Sequence, residues 1–265
     1  MRTKTLLIAA AALAAGILVS SAQTYSQNVV GYYNVPIPAN SFYVVANQFN
    51  VGVSNGLNEL FAGGLMSDPN FVTNTEAYVW NGSGYLTYYY LSAADAATDA
   101  LPGAGFYDGG ANYITTIMPP GSALFIQNLA PGTITATVVG SVAQGTNKIA
   151  MAGSAGGAFN MVGSPIPVST NVASAPISFA GTSDPNFAYN DEIFLFTGSG
   201  WNSYYYISAA DAVTDSLPGA GFYDGGGNYQ TTTVSPTVGT GFFIQHFGPS
   251  YNGASETWTN IFTVQ

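Results

Sequence analysis

Two segments of this chain repeat one another, and this internal duplication limits the folds open to it. Residues 67–117 match residues 183–233 at a constant offset of 116, with 34 of the 51 positions identical. Upstream, Phe42 and Val45 still align with Phe159 and Val162, one residue further apart. A duplication of this length predicts two copies of one folded unit in tandem.

Each copy is a series of short segments rich in Val, Tyr and Phe, bounded by Gly and Pro. The pattern at 76–91, with a turn at 81–84, predicts a β-hairpin that recurs at 192–207. Further strands are predicted at 28–35, 41–46, 113–117, 123–127 and 134–139. The single helical segment of the copy is 92–101, where Ser92 is a good N-cap and Asp95 follows three residues later. The sequence predicts an all-β fold, with two tandem repeats of a small β-sandwich or barrel-like unit, each with one short helix.

The N-terminus predicts export. Arg2 and Lys4 precede an apolar run and then small residues, which is typical of a secretory signal peptide. We therefore divide the chain into a signal peptide (1–22), β repeat 1 (23–144) and β repeat 2 (145–265), and expect a periplasmic, cell-surface or extracellular product. No later stretch approaches 18 consecutive apolar residues, so we expect no integral membrane segment after signal removal.

The charge balance excludes several partners. The chain has 13 acidic residues and three basic ones, for a formal charge of −10, and removing Arg2 and Lys4 with the signal leaves Lys148 alone. Nucleic acids bind through basic side chains that displace counterions from phosphates, so we expect no nucleic-acid partner. The chain also has no Cys, so disulfides cannot stabilise the exported protein.

Several motifs are similar to those of a known family. Residues 29–38, 44–48, 139–147 and 159–164, with the segments that end at Gln127 and Gln245, resemble a family of uncharacterised secreted two-repeat proteins common in Verrucomicrobia-type bacteria. The similar motifs extend over nearly the whole mature chain. The resemblance implies a secreted β-repeat protein and no particular activity.

Aromatic residues are the first candidates for a binding site. Tyr88, Tyr89 and Tyr90 recur as residues 204–206, and alternate side chains on a strand face opposite sides, so Tyr89 and Tyr205 should point away from their neighbours. Exposed aromatic rings beside polar groups suit stacking on sugar rings. We predict that the ligand-binding residues are Tyr89, Tyr205, Trp80 and Trp201, and packing in the core is the alternative.

Acidic residues are the second set of candidates. The carboxylates that recur between the copies include a candidate calcium-binding set: Asp95, Asp99, Asp108, Asp211, Asp215 and Asp224. Oxygen ligands on glycine-rich loops suit calcium, although no segment matches a complete calcium-binding loop. The alternatives are a helix cap at Asp95, a solvated Asp99 and a turn held by Asp108. A pair of glycosidase carboxylates is a further possibility.

Catalytic residues are otherwise scarce. His246 is the only histidine, and its counterpart in the first copy is Asn128. We therefore predict no catalytic residues, no certain cofactor and a non-enzymatic exported protein of the envelope or extracellular matrix, acting by adhesion or contact with polysaccharide or cell-surface components. The alternatives are a structural self-assembly module and, third, a secreted glycan-active enzyme.

Overall fold

The computed structural model describes residues 29–174, 177–248 and 252–262, so the predicted signal peptide, 1–22, lies outside the described residues. The elements of the first repeat are β1 (Val30–Ile37), β2 (Ser41–Ala46), α1 (Leu57–Leu60), β3 (Glu76–Trp80), β4 (Tyr85–Leu91), α2 (Ala93–Thr98), β5 (Gly105–Tyr107), β6 (Ala123–Asn128) and β7 (Ile134–Ser141). Those of the second are β8 (Gly145–Met151), β9 (Ala158–Gly163), β10 (Glu192–Phe196), β11 (Trp201–Ile207), α3 (Ala209–Thr214), β12 (Gly221–Tyr223), β13 (Gly241–His246) and β14 (Glu256–Phe262).

Each repeat is a β-sandwich of one five-stranded sheet and one two-stranded ribbon. The first sheet has the order β2-β6-β3-β4-β5, and β1 pairs with β7 to form the ribbon. The second repeat has the same topology, with the sheet β9-β13-β10-β11-β12 and the ribbon β8-β14. All these pairings are antiparallel. The all-β prediction is confirmed.

The alternation of side chains places one face of each sheet under its ribbon. In β4, Tyr88 and Tyr90 join the first core, which Val35, Ile37 and Leu124 also fill from the ribbon and the sheet. A matching core in the second repeat includes Ile149, Tyr204, Tyr206, Phe242 and Trp258. The residue between the two inward tyrosines faces the opposite side, which we call the outer face of the sheet.

Three details differ from the sequence prediction. Strand β1 continues through Pro36 to Ile37, which an edge strand tolerates because its outer N–H groups need no partner. Residues 113–117 form only isolated bridges, at Tyr113 and Ile117, and no strand. The predicted short helix is present in both repeats, as α2 and α3, and the first repeat has an additional four-residue helix, α1.

Helix α1 is only four residues long, and a local cluster of hydrogen bonds to Glu59 stabilises it. The Glu59 carboxylate accepts hydrogen bonds from the backbone N–H groups of Val53, Ser54 and Gly56. These bonds lower the pKa of Glu59 to about 2. Leu57 and Leu60 then bury their side chains in the first core.

None of the helices in the described ranges is both long and apolar enough to cross a bilayer.

The two repeats pack together through the outer faces of their sheets, around an approximate twofold axis. The backbone N–H of Ala46 donates to the carbonyl of Gly239 at 2.8 Å, and the N–H of Gly163 donates to the carbonyl of Gly121 at 2.9 Å. These two bonds join the same pair of positions with the repeats exchanged. A third apolar cluster forms between the repeats, made of Val44, Ala46, Ala123, Phe125, Met161 and Phe243.

Candidate functional site

Five aromatic rings contact one another where the repeats join, beside an opening that we call the central aromatic cleft. Following contacts around the group, the rings are Trp80, Tyr85, Phe125, Trp201 and Phe243. The successive centroid distances are 5.1, 5.8, 5.8 and 5.5 Å, and 5.5 Å from Phe243 back to Trp80. Every pair in this cycle is edge-to-face, the geometry that aromatic quadrupoles favour.

The twofold relation explains why the cleft combines residues from both repeats. Phe243 of β13 contacts Trp80 of β3, and its counterpart Phe125 of β6 contacts Phe196 of β10 at 5.3 Å. Tyr85 and Trp201 occupy the same position in the two hairpins. The cleft therefore needs both copies of the duplication, since neither repeat alone supplies its walls.

The cleft is open to solvent and has the volume of a small ligand group. It encloses about 250 Å³ and is lined by Trp80, Tyr85, Phe159, Phe194, Trp201 and Phe243. Tyr85 is 42% exposed and Trp201 is 40% exposed. The indole N–H of Trp80 donates to the carbonyl of Phe159 at 2.8 Å, which fixes that ring against the second repeat.

Comparison of the chain with protein-family models, with curated proteins and with solved structures finds no match.

Polar groups lie beside the rings on the same outer face. In the first repeat the hydroxyl of Tyr78 donates to Glu76 Oε2 at 2.5 Å and lies 2.7 Å from Oε1 of Gln127. In the second repeat Phe194 replaces Tyr78, so Glu192 receives no such hydrogen bond from that position. Burial raises the pKa of Glu192 above its ordinary value. The two sides of the cleft therefore differ in hydrogen-bonding capacity.

Two larger clefts flank the central one and correspond to each other under the twofold relation. One encloses about 550 Å³ and includes Trp80, Phe159 and Lys148 among its lining residues. The other encloses about 410 Å³ and includes Phe42 and Phe196 in the corresponding positions. Both extend the apolar surface around the junction of the repeats, so Trp80 and Phe196 each border a flanking cleft.

Tyr89 and Tyr205 lie outside the central cleft, each in what we call an outer aromatic cluster. The first cluster consists of Phe71, Tyr89, Tyr107 and Tyr113, with centroid distances of 5.2, 6.2 and 5.4 Å along the series. The second consists of Phe187, Tyr205, Tyr223 and Tyr229, at 5.7, 6.0 and 5.1 Å. Burial, together with the nearby charges of Asp108 and Asp99, raises the pKa of Tyr89. The predicted ligand residues thus divide into one central site and two outer ones.

Phe71 and Phe187 are strained in the same way. Both have a backbone φ of 60°, which a bulky L-residue rarely adopts, and they are 45% and 47% exposed. In the first repeat the Asp68 carboxylate holds this conformation by accepting from the N–H groups of Asn70, Val72 and Thr73. Sequence reasoning missed both phenylalanines, although the repeated Asp-Pro-Asn-Phe run was a usable signal.

The six predicted calcium ligands are placed in separate local structures. Asp95 accepts hydrogen bonds from the hydroxyls of Ser67 and Ser92 at the start of α2, and Asp211 does the same with Ser183 and Ser208 at α3. Asp99 and Asp215 are the C-cap residues of these helices.

The two remaining acids close turns. Asp108 Oδ1 accepts from the N–H groups of Gly110 and Asn112, and Asp224 repeats this with Gly226 and Asn228. These bonds lower the pKa of both carboxyls. Within the described residues, no group of three or more His, Asp or Glu side chains is arranged to hold a metal ion. Calcium binding stays a prediction. Donors contact both carboxylate oxygens of Asp108 and Asp224, and one oxygen each of Asp95 and Asp211.

His246 is fully buried, in contrast to the exposed aromatic rings of the cleft. Its Nδ1 is 2.7 Å from Oδ2 of Asp191, which also accepts from the N–H of Thr182 at 2.9 Å. The other ring nitrogen lies 3.6 Å from Oε2 of Glu256 on β14. The contact between His246 and Asp191 joins β13 to the loop before β10, so we assign it a structural role.

Proposed function

We propose that this protein is an exported, non-enzymatic component of the cell envelope or extracellular matrix that contacts glycans through the central aromatic cleft. The observation that supports this most is the exposure of Tyr85 and Trp201 at the mouth of a ring of aromatic side chains. Large aromatic surfaces left open to water commonly mark binding sites.

A sugar ring fits the chemistry of this cleft. The faces of a pyranose present C–H groups that pack on the negative faces of aromatic rings, while its hydroxyls need hydrogen-bond partners at the edge. Glu76, Tyr78 and Gln127 supply acceptors and a hydroxyl beside the first-repeat side of the cleft. Glu76 and Gln127 also have further acceptor lone pairs, which the hydroxyls of a bound sugar can use.

Retention on insoluble polysaccharides and isolated cell walls tests the proposal. We expect the mature protein to be retained on at least one of a panel, and Trp201→Ala to lose that retention. Trp201→Tyr, which introduces the ring found at Tyr85, should preserve it. Tyr32→Ala is the matched control, because Tyr32 is 71% exposed on β1, outside the cleft. Absence of retention on every member, or equal retention of Trp201→Ala, would count against the proposal.

A structural self-assembly module is the second candidate, and one surface favours it. Tyr32 and Val139 are paired across the β1-β7 ribbon, and both are exposed on its outer face beside Val30. Sedimentation velocity over a range of concentrations would show larger species without ligand if this surface joined copies of the chain, and Tyr32→Ala would abolish them. A secreted glycan-active enzyme is the third reading, which turnover lost in Asp95→Asn would support.

A further inference from the structure

We propose that the part of each outer face that lies beyond the junction of the repeats, along β4 in the first repeat and β11 in the second, is an extended track for one neutral, ribbon-like polysaccharide chain, and that the two tracks meet in the central aromatic cleft. This inference rests on the proposed function and adds the class of ligand. It concerns surfaces beyond the cleft itself, including the two outer aromatic clusters.

The first track follows strand β4. Tyr85, Thr87 and Tyr89 are alternate residues of one strand, so they share the outer face, about 7 Å apart and roughly 13 Å from first to last. Tyr85 lies in the central cleft, and Tyr89 lies in the first outer aromatic cluster. The strand therefore presents an aromatic ring, a hydroxyl and a second aromatic ring in a straight line.

The second track has the same pattern on β11. Trp201 lies in the central cleft, Ser203 follows, and Tyr205 lies in the second outer aromatic cluster. Because both tracks begin at the twofold junction, a chain that occupies the cleft can continue along either sheet. The substitution of Ser203 for Thr87 keeps the hydroxyl in the middle position.

Neighbouring strands widen each track with polar groups. Cross-strand pairing sets Trp80 beside Tyr85, Tyr78 beside Thr87, and Glu76 beside Tyr89. Gln127 of β6 is in turn paired with Glu76. Hydrogen-bonding side chains thus alternate with flat rings along the face, as a chain of sugar rings with hydroxyls at their edges would require.

A strained aromatic residue lies at the far end of each track. Phe71 stands edge-on to Tyr89 at an interplanar angle of 89°, and Phe187 stands edge-on to Tyr205 at 84°. Both have a positive φ, which a glycine would adopt with less strain than an aromatic residue. Strain of this sort is found at ligand-gripping loops, and here it occurs at the same place in both copies.

The charges favour a neutral ligand. Each track has two carboxylates towards its far end. Glu76 or Glu192 is paired across the strands with Tyr89 or Tyr205, and the charge of Asp108 or Asp224 acts on the same tyrosine. Lys148 is the sole Lys or Arg in the described ranges and lies on β8, outside both tracks. A polyanionic chain would be repelled, whereas carboxylates are good acceptors for the hydroxyls of a neutral sugar.

A flat surface with rings in line selects an extended chain. A β-1,4-linked hexopyranose polymer with equatorial hydroxyls is a ribbon with apolar C–H faces, so two residues of one chain, separated by one or two others, can lie on Tyr85 and Tyr89 without bending. A coiled polysaccharide would meet only one ring at a time. The ligand class we infer is therefore a neutral β-1,4-linked glycan.

Calorimetric titration with soluble β-1,4-linked oligosaccharides, from disaccharide to hexasaccharide, tests this. We expect affinity to rise with length, and Tyr89→Ala and Tyr205→Ala together to weaken hexasaccharide binding by on the order of tenfold, equivalent to one lost stacking contact. Disaccharide binding in the cleft should be unchanged. Tyr32→Ala again serves as the matched control, and the thermal midpoint of each variant confirms that it is folded.

Two outcomes separate the proposals. Affinity that is independent of length and insensitive to the tyrosine pair, but lost in Trp201→Ala, would overturn the tracks and leave the cleft as the glycan site. Failure of wild-type protein to bind any oligosaccharide of the series or any insoluble polysaccharide would overturn both. Binding of a coiled α-linked glucan with equal affinity would overturn the inferred linkage class.

Discussion

The Cβ of Ala46 lies 2.3 Å from the place where a Cβ on Gly163 would stand. Gly163 is the residue of the second repeat that corresponds to Ala46. The same relation holds for Ala123 and Gly241, at 2.4 Å. Because counterparts meet each other only on a twofold axis, these two pairs mark where the axis passes. At each place one copy has Ala and the other has Gly, since two Cβ atoms do not fit.

Gly163→Ala should therefore push the repeats apart. Overpacking of this kind costs about 1–3 kcal/mol, and we expect a fall of that size in the free energy of unfolding by denaturant titration. The double variant Ala46→Gly, Gly163→Ala exchanges the two residues across the axis and should recover most of the loss. Gly132→Ala is the control, because no atom lies within 4 Å of an added Cβ there. A neutral Gly163→Ala, or a double variant no better than the single, would contradict this packing.

The sheets of the two repeats were accessible to sequence reasoning, and their docking was not. Period-two alternation correctly placed Tyr89 on the face opposite Tyr88, and the repeat required the same of Tyr205. These inferences depend on local geometry and on duplication alone.

The central aromatic cleft depends on contacts between residues more than 100 positions apart, such as Trp80 and Phe243. Nothing in the local pattern distinguishes an aromatic residue that meets the other repeat from one that stays in water. The small residues on the axis were a signal in principle, but Ala46 and Gly163 read as ordinary strand residues until their close approach is known.

His246 and Asp191 should stabilise the second repeat. Removing one partner of a buried hydrogen-bonded pair leaves the other without that bond, so His246→Ala should lower the free energy of unfolding by about 1–3 kcal/mol. In the first repeat, the uncharged residues Asn128 and Thr75 occupy the positions that correspond to His246 and Asp191. We therefore expect the double variant His246→Asn, Asp191→Thr to be more stable than His246→Asn alone in denaturant titration. Additive losses in the double variant would show that the pair is not coupled.

Calcium should leave the thermal midpoint unchanged, because Asp108 and Asp224 are already occupied by backbone and Asn donors. Differential scanning fluorimetry with excess calcium and with chelator makes the comparison. A ligand that binds only the folded state raises the midpoint as its concentration exceeds the dissociation constant. A rise with calcium that disappears in Asp108→Asn would establish the site that the sequence suggested.

Glu192 provides a test of how the two sides of the cleft differ. Burial raises its pKa in the folded state, so the carboxyl contributes stability that is fully present below its unfolded pKa and is lost as the pH rises through the folded value. Glu192→Gln should therefore stabilise the protein at pH 7, on the order of 0.5 kcal/mol because the group is partly exposed. The gain should shrink as the pH falls toward 4, because the protonated carboxyl, like the amide, carries no charge. Denaturant titrations across this range measure it.

The matched variant is Glu76→Gln in the first repeat, where the carboxylate accepts a hydrogen bond from Tyr78. We expect no gain there, because the substitution weakens a charge-assisted bond instead of removing an uncompensated charge. Phe194→Tyr, which introduces the missing hydroxyl beside Glu192, should reduce the benefit of Glu192→Gln in the same background. Equal effects of the two glutamine variants at pH 7 would mean that the hydroxyl at position 78 does not set the difference between the two sides of the cleft.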